Sequence, residues 1–445
     1  MRILHYSLGF PPYRSGGLTK FCIDLIKEQI KEGDDASLLW PGQINLVNKR
    51  IKVKQHNPVE GIGSYEIINP LPVPYDEGIN NVKPFIMPGD KTVYREFLDK
   101  VRPDVIHIHT LMGLHESFLE AAKEKGIKLV FTTHDYFPIC PKVTMFRDGK
   151  NCESALSCED CSGCNNTALS GWKIEILQSS LYRALKDTAF IRRMRKNHRD
   201  NYFRDRQETT VVRTASKDDF IELRKHYHSM LLKMDLIHYN SLLTRQTYES
   251  FFEMPQGVVI NITHSEIKDN RKKKSFTPDL IRIRYLGPQN GAKGFFLLRE
   301  SLDMLWAERK DFRLDVHFTP SEIPEYMCCH PPYKYNDLEG IFDETDVLIC
   351  PSIWRETFGF TVLEALSFGV PVIISENVGA KDILSVGAGK VTDYFSAETL
   401  FRVLKDLKAE DLEEMNRRIL DDQSILTMND CSMVIKERLY NYGQN

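Results

Sequence analysis

Segments with strand character alternate with segments of helical periodicity along most of this 445-residue chain. A short apolar strand at 2–8 precedes a helical pattern at 16–32, and the buried strand PDVIHIHTL is separated from the strand IKLVFTTHD by a helical stretch at 115–125. Strands joined by helices of this length form a parallel sheet covered by helices. The sequence therefore predicts an α/β fold.

The alternation breaks in the middle of the chain and then starts again. A chain of this length exceeds one typical core, so two domains are expected. The apolar runs IRIRYLG, DVLICPS and VPVIIS predict strands of a second sheet. We predict two doubly wound, Rossmann-like domains facing across a cleft: 1–265 with an insert at about 138–232, a linker at 266–278, a second domain at 279–428, and a C-terminal helix at 429–445 that packs back on the first domain.

The run DVLICPSIWRETFGFTVLEALSFG in the second half predicts a strand, a loop and a helix. Glu356 falls in the loop at the mouth of the helix, and Glu364 falls more than one turn inside it. Ligands of such sheets bind at the carboxyl ends of strands, and a helix N-terminus attracts phosphate. The alternative is a first-turn glutamate favoured by the helix dipole and a solvent-facing one. The apolar neighbours of Glu364 argue against that alternative, because a buried carboxylate needs a partner.

These residues resemble glycosyltransferase family 4, whose members are retaining enzymes with the two-domain GT-B fold and use nucleotide-activated sugars. The resemblance covers most of the chain apart from about 165–230. Glu356 and Glu364 match the paired glutamates of the family, and Phe358 and Gly359 lie in the same matching run. The resemblance implies that this run binds the donor.

The segment YLGPQNGAKGFFLL contains Lys293 directly before a glycine and a predicted helix, where a lysine is well placed to pair with phosphate. Lysines beside glycines are also common on surfaces. By resemblance, Lys293 matches the donor-phosphate lysine. Family members typically carry an arginine after the glycine that ends the preceding strand, but here Gly287 is followed by Pro288. Gln289 or a backbone amide is the expected substitute.

In the first half, the resemblance rests on a glycine pair and a histidine. Gly16 and Gly17 in PPYRSGGLTKF match a glycine loop near donor and acceptor, and His134 in TTHDYF matches a histidine beside the transferring sugar. Without that context, His134 is a hydrogen-bonded histidine at a strand end. His107 and His109 alternate along their strand, and we interpret them as structural.

The resemblance implies transfer of a hexose with retention at the anomeric carbon, from a UDP- or GDP-linked donor to a glycan or polyprenyl-linked acceptor, as in polysaccharide assembly. Lys293 and the helix N-terminus would stabilise the departing nucleoside diphosphate. Glu356 would position the sugar, Glu364 would hold the ribose, and His134 would contact the sugar or the diphosphate. The sequence contains no Asp-x-Asp motif, so no cofactor is expected for catalysis.

Clustered cysteines in the insert predict a metal site or a set of reduced thiols. The N-terminus lacks a signal-peptide pattern, so disulfides are a poor explanation. A four-thiolate structural zinc is compatible with the spacing. The predicted ligands are Cys140, Cys152, Cys158 and Cys161, with Cys164 as the alternative.

A basic segment at 183–206 has nine Lys/Arg against three Asp. It predicts either contact with an anionic membrane surface or a solvated helical face. The net charge of −3 argues against a general nucleic-acid binder. We expect a cytoplasmic protein, peripheral on the inner face of the plasma membrane. The competing functions are a nucleotide-sugar epimerase or phosphorylase on the same scaffold, and a non-catalytic nucleic-acid-binding protein that uses the basic segment.

Overall fold

The computed structural model of the chain describes residues 1–12, 14–75, 77–153, 157–185, 188, 193, 215–392 and 396–442. Sixteen strands are present in these residues. They are β1 (Arg2–Tyr6), β2 (Asp35–Pro41), β3 (Lys52–Val59), β4 (Ile62–Ile68), β5 (Val105–Ile108), β6 (Lys128–Thr132), β7 (Phe146–Arg147), β8 (Lys150–Asn151), β9 (Leu236–Tyr239), β10 (Gly257–Val259), β11 (Ile281–Tyr285), β12 (Phe312–Val316), β13 (Met327–Cys329), β14 (Val347–Cys350), β15 (Val372–Ser375) and β16 (Gly389–Thr392).

The α-helices follow the strands in the order that the sequence predicts. They are α1 (Gly17–Lys31), α2 (Lys91–Val101), α3 (Glu116–Glu124), α4 (Cys161–Cys164), α5 (Gly171–Leu177), α6 (Ser180–Leu185), α7 (Lys217–Leu231), α8 (Leu242–Phe251), α9 (Phe295–Glu308), α10 (Leu338–Asp343), α11 (Phe360–Ser367), α12 (Ala397–Lys405), α13 (Ala409–Asp422) and α14 (Met428–Ile435). None of these helices is long and apolar enough to cross a bilayer.

The strands form two large sheets, which confirms the predicted α/β class. The first has eight strands in the order β10-β9-β6-β5-β1-β2-β4-β3, with the β3–β4 pair antiparallel. The second has six parallel strands in the order β13-β12-β11-β14-β15-β16. The chain reverses its direction of travel across the second sheet between β11 and β14. Ligands of open α/β sheets bind at such a reversal, beyond the carboxyl ends of the strands.

The insert contains the β7–β8 hairpin and helices α4 to α7. Of the basic segment at 183–206, all but a few residues lie outside the described part of the chain.

The C-terminal segment returns to the first sheet. After α14, a single π-helical turn spans Lys436–Tyr440, and α14 packs against α1. The Lys436 ammonium pairs with Glu32 at 3.0 Å and with Asp34 at 2.6 Å, both just after α1. These contacts hold the end of the chain against the first half.

Candidate functional site: a cleft at the carboxyl ends of β11 and β14

A cavity of about 410 Å³ opens at the carboxyl ends of β11 and β14, where the second sheet reverses. It brings together three charged side chains that the sequence predicted at a donor site, Lys293, Glu356 and Glu364. The lining also includes Leu286, Gly287, Pro288, Tyr333, Lys334, Tyr335, Cys350, Ser352, Gly359, Phe360 and Thr361. The cavity thus combines apolar walls with a few converging polar groups, as small-molecule sites do.

Glu356 is the best-connected charge in this cavity. Its Oε1 lies 2.8 Å from the Lys293 ammonium and also accepts a hydrogen bond from the Ser352 hydroxyl. Burial alone would raise the pKa of the Glu356 carboxyl, but the charge of Lys293 and these hydrogen bonds hold the pKa below its ordinary value. Glu356 is therefore an anion that depends on Lys293.

Lys293 is placed by a turn that only glycine fits. Gly294, at the start of α9, has φ +76°, and a Cβ there would lie 1.8 Å from the carbonyl oxygen of Pro351. The close approach of the two loops puts the Lys293 ammonium beside Glu356 and over the Trp354 ring, 4.8 Å from its centroid. The loops after β11 and β14 therefore deliver one cation and one anion to the same point.

Glu364 is buried on α11 and is paired with a residue from the end of the predicted first domain. Its Oε1 lies 3.1 Å from Nε2 of His264, which is fully buried. The His264 ring packs against Tyr335 and Phe360. His264 was not predicted as a site residue. Its position shortly after strand β10 is the only feature of the sequence that could have indicated it. The solvent-facing alternative for Glu364 is wrong, because the side chain is buried with a partner.

The first half closes over the start of α11. Gly16 precedes α1 with φ +111°, and a Cβ on Gly17 would lie 3.1 Å from the Phe360 ring. The carbonyl of His134 accepts a hydrogen bond from the Thr357 hydroxyl at 3.1 Å, one residue after Glu356. The two glycines and His134 thus lie at the junction with the loop that carries Glu356, although they do not line the cavity itself.

Two other predicted donor residues differ in their placement. Gly359 caps α11 with φ +105° and lines the cavity. Phe358 is 3% exposed and packs in a hydrophobic cluster with Phe21 and Val362. The structure therefore does not bring the Phe358 side chain to the cavity, because the backbone turn before Gly359 directs it into the core.

The missing arginine leaves a different cation set at the cavity. Pro288 lines it, and its carbonyl accepts a hydrogen bond from the Tyr285 hydroxyl at 2.8 Å. Gln289 lines an adjoining cavity of about 640 Å³. Among the described lining residues, the cations are Lys293 and the exposed Lys334, and the latter was not predicted.

The insert cysteines separate into two groups in the structure. Arg224 donates to the sulfur of Cys158 at 2.5 Å and to that of Cys161 at 3.1 Å. The hydrogen bond from the Cys161 thiol, together with the charge of Arg224, lowers the pKa of Cys158 to about 6. Cys140 interacts electrostatically with Cys164 and Cys152 instead.

A closed zinc site needs four thiolates about 2.3 Å from the metal. Among the described residues, none of these cysteines belongs to a group of three or more side chains whose potential ligand atoms all lie within 4.8 Å of one another. The predicted ligand set therefore does not fit such a site as the sulfurs stand, and the structural zinc stays a prediction. Metal analysis of the purified protein, with Cys158→Ser/Cys161→Ser as control, tests it; absence of bound zinc would contradict it.

Comparisons with known proteins agree with the two-sheet architecture. A family model described as Glycosyltransferase Family 4 matches residues 15–215, and one described as Glycosyl transferases group 1 matches residues 323–421. A D-inositol 3-phosphate glycosyltransferase of Paenarthrobacter aurescens (strain TC1) is 26% identical over 194 residues, covering 40% of this chain and 43% of that protein. The chain thus spans less than half the length of this curated relative.

Solved structures resemble the chain over nearly its whole length. Anabaena Alr3699/HepE in complex with UDP and glucose is 12% identical, with a TM-score of 0.53 and 99% of both chains covered. A glycosyltransferase of Rickettsia africae ESF-5 is 15% identical, with a TM-score of 0.56, 99% of this chain and 97% of that chain covered. These likenesses show a shared GT-B fold. Matches to family models in both halves, on this fold, identify the chain as a GT-B glycosyltransferase of the family 4 type.

Proposed function

We propose that the protein is a retaining glycosyltransferase that moves a hexose from a nucleotide-sugar donor, UDP- or GDP-linked, to a glycan or lipid-linked acceptor. The observation that carries this proposal is the convergence of Lys293, Glu356 and Glu364 on one cavity at the sheet reversal. A nucleoside diphosphate sugar has one group for each of them. The diphosphate needs a cation, and the sugar and ribose hydroxyls need acceptors.

The diphosphate lies between Lys293 and the free N–H groups at the start of α11 in this proposal. Gly359 has no side chain to block that approach, and a helix N-terminus favours an anion. As the bond from the sugar to the diphosphate breaks, negative charge grows on the departing phosphate, and the Lys293 ammonium stabilises it. The sugar carbon becomes electron-poor at the same time, and the Glu356 carboxylate, kept ionised by Lys293, stabilises it.

Glu364 accepts hydrogen bonds from the ribose hydroxyls. Its pair with His264 fixes the carboxylate on α11 and leaves its second oxygen for the ligand. Retention at the anomeric carbon is part of the proposal and is supported by the family to which the chain belongs. In this proposal, the Lys293 ammonium and the N–H groups at the start of α11 stabilise the negative charge of the departing diphosphate, so a divalent metal is not required.

Isothermal titration calorimetry with UDP and with GDP tests this donor site. We expect one of the two to bind with a stoichiometry of one, and Glu364→Gln to weaken that binding about tenfold, since a hydrogen bond to a charged group is lost. Glu376→Gln, an exposed carboxylate of the same half, is the control and should bind as the parent does. Failure of both nucleotides to bind would overturn the proposal.

The acceptor is proposed to be lipid-linked because an apolar surface lies exposed on the insert. Helices α5 and α6 carry Trp172 and Leu181, which are 63% and 61% exposed. The loop with Leu46 and Val47, also exposed, adjoins them, since Ile44 pairs with Ser179. The basic segment follows in the sequence. Apolar side chains beside a run of positive charge suit an anionic bilayer. We therefore propose that the protein binds the inner face of the plasma membrane.

Vesicle flotation tests the membrane surface. We expect the protein to float with vesicles of phosphatidylcholine and phosphatidylglycerol, to be released by salt, and to bind about tenfold more weakly as Trp172→Ser/Leu181→Ser, because each change removes apolar burial. Val386→Ser, an equally apolar exposed site in the other half, should leave flotation unchanged. Flotation that is absent, or equal with phosphatidylcholine alone, would contradict the proposal.

A further inference from the structure

Five histidines of the first half lie next to one another beneath the cleft. Their rings are close, with centroids 4.3 Å apart for His107 and His109 and 5.3 Å apart for His109 and His134. His5 stacks on His109 from β1, and His238 lies on β9. The sequence indicated a structural role for His107 and His109 alone. The positions of the other three suggest more, because His134 adjoins the loop that carries Glu356.

One continuous series of hydrogen bonds joins these rings, and we call it the histidine relay. It passes through two residues of the C-terminal turn and α1, Tyr440 and Gln29. From Ile260 to Tyr440, its bonds are Ile260 O to His238 Nε2 (2.7 Å), His238 Nδ1 to Thr132 Oγ1 (2.9 Å), Thr132 Oγ1 to His107 Nε2 (2.6 Å) and His107 Nδ1 to the Tyr440 hydroxyl (2.7 Å). From Tyr440 to His134, they are the Tyr440 hydroxyl to Gln29 Nε2 (3.2 Å), Gln29 Oε1 to His5 Nε2 (2.8 Å), His5 Nδ1 to His109 Nε2 (3.0 Å) and His109 Nδ1 to His134 Nε2 (3.1 Å).

The direction of every bond in the relay follows from its first member. The carbonyl of Ile260 only accepts, so His238 Nε2 donates, and its Nδ1 accepts from the Thr132 hydroxyl. The Thr132 oxygen then accepts from His107. A neutral imidazole has one donor and one acceptor nitrogen, so the Tyr440 hydroxyl donates to His107 Nδ1.

The directions of the remaining bonds, from Tyr440 to His134, follow in the same way. The Tyr440 hydroxyl donates to His107, so its oxygen accepts from Nε2 of Gln29, and this contact orients the amide with Oε1 toward His5. His5 therefore carries its proton on Nε2 and accepts on Nδ1 from His109, which in turn accepts from His134 Nε2. The last ring is left with its proton on Nε2 and a bare Nδ1.

The relay requires neutral rings, and burial supplies that condition. Desolvation lowers the pKa of His5 and of His238 to about 4 and holds the pKa of His107, His109 and His134 well below the ordinary value. A metal ion is not needed to explain the cluster. Nitrogens of His5, His107 and His109 lie within 4.8 Å of one another, but both ring nitrogens of each already form hydrogen bonds.

Nδ1 of His134 is the open end of the relay. No described group bonds to it, and it is not among the buried polar atoms that lack a partner. We propose that Tyr440 is a positioning residue that acts through the histidine relay to keep Nδ1 of His134 unprotonated toward the cleft, where it accepts a hydrogen bond from a substrate hydroxyl. An anionic phosphate, which has no proton to give, is then excluded as its partner. The last step rests on the proposed function.

Long-range ¹H–¹⁵N spectra of histidine-labelled protein test the relay, because the two ring nitrogens report the tautomer. We expect His134, assigned with His134→Gln, to carry its proton on Nε2 alone. Tyr440→Phe removes the hydroxyl that joins Gln29 to His107. Thr132→Val removes the hydroxyl that joins His107 to His238. Each variant should populate the Nδ1–H tautomer of His134. Tyr94→Phe, whose buried hydroxyl bonds to His115 outside the relay, should not.

The two parts of the inference fail separately. A parent His134 with its proton on Nδ1, or folded Tyr440→Phe and Thr132→Val proteins with an unchanged His134 tautomer, would overturn the relay whatever the enzyme transfers. With the relay intact, transfer activity in both variants should fall about fivefold in kcat/KM, the worth of one neutral hydrogen bond. Unchanged activity would overturn the contact with a substrate hydroxyl. Absence of transfer in the parent with the expected tautomers would count against the proposed function alone.

Discussion

Glu356→Gln is expected to lower kcat/KM for sugar transfer about 100-fold while leaving the fold intact. Glutamine keeps the shape and the hydrogen bond from Ser352 but removes the negative charge beside the developing positive carbon. Removal of one preorganised electrostatic group from an active site typically costs 100-fold or more. The loss should be in kcat, because the charge acts on the transition state rather than on the bound donor. Initial rates of nucleotide release with a saturating acceptor measure it.

A matched control exists in the first half of the chain. Glu66 is also a buried carboxylate in a pair, 2.8 Å from His56, and lies outside the cavity. Glu66→Gln should keep kcat within about twofold of the parent, since most substitutions away from a site act on stability. A Glu356→Gln enzyme as active as Glu66→Gln would remove Glu356 from the chemistry.

Lys293→Met is expected to abolish measurable transfer and also to destabilise the protein at neutral pH. It removes the cation for the diphosphate and leaves Glu356 buried without its partner. Breaking a buried ion pair lowers the free energy of unfolding by about 3 to 5 kcal/mol. We expect a loss of about 3 kcal/mol here, because the Lys293 side chain is 29% exposed. Circular dichroism melting curves report the stability loss, and the nucleotide-release assay reports the activity.

The pH dependence of that loss identifies its cause. In the parent, folding lowers the pKa of Glu356. The ionised carboxylate therefore stabilises the folded protein at a pH above the unfolded pKa, and that stabilisation is lost as the pH falls through the folded pKa. Without Lys293, burial raises the pKa, and the ionised group opposes folding at neutral pH. The difference in stability between parent and Lys293→Met should therefore be largest near about pH 7 and shrink toward about pH 5.

Lys233→Met is the control for this experiment. Lys233 is 28% exposed and pairs with Glu116 at 2.6 Å, but Glu116 is itself 24% exposed and remains hydrated. Its loss should cost less than about 1 kcal/mol. A pH-independent stability difference for Lys293→Met would mean that Glu356 is not held ionised by Lys293.

The parallel sheets were predictable because each strand and helix has a strong local pattern. The helix opened by the glycine pair spans Gly17–Lys31, within the predicted 16–32. The strands that were not predicted include β3, β4, β13 and β16, together with the β7–β8 hairpin. β3 is a mostly exposed edge strand with little apolar alternation, and β13 has only three residues. Their pairing depends on neighbouring strands rather than on their own sequence.

The candidate site was predictable to the extent that it is local in sequence. Glu356 and Glu364 share one strand-loop-helix segment, so their approach to a common cavity follows from that segment. The pairing of Glu364 with His264 joins residues 100 positions apart, and the relay contact of His107 with Tyr440 joins residues 333 apart. Contacts of that kind depend on how the two halves pack, and no local pattern carries them. The Phe358 side chain packs in a hydrophobic cluster and does not line the cavity, so its role at the donor site stays a prediction.

The most direct test is a donor screen in which the purified protein is incubated with UDP- and GDP-linked hexoses and a polyprenyl-linked acceptor. Mass detection identifies the products, and the NMR coupling of the anomeric proton gives the configuration of the new bond. We expect release of one nucleoside diphosphate together with an acceptor heavier by one hexose, in the α configuration when the donor is α-linked. Both should form about 100-fold more slowly with Glu356→Gln and be undetectable with Lys293→Met. A product of inverted configuration, or turnover at the parent's rate in both variants, would contradict the proposed function.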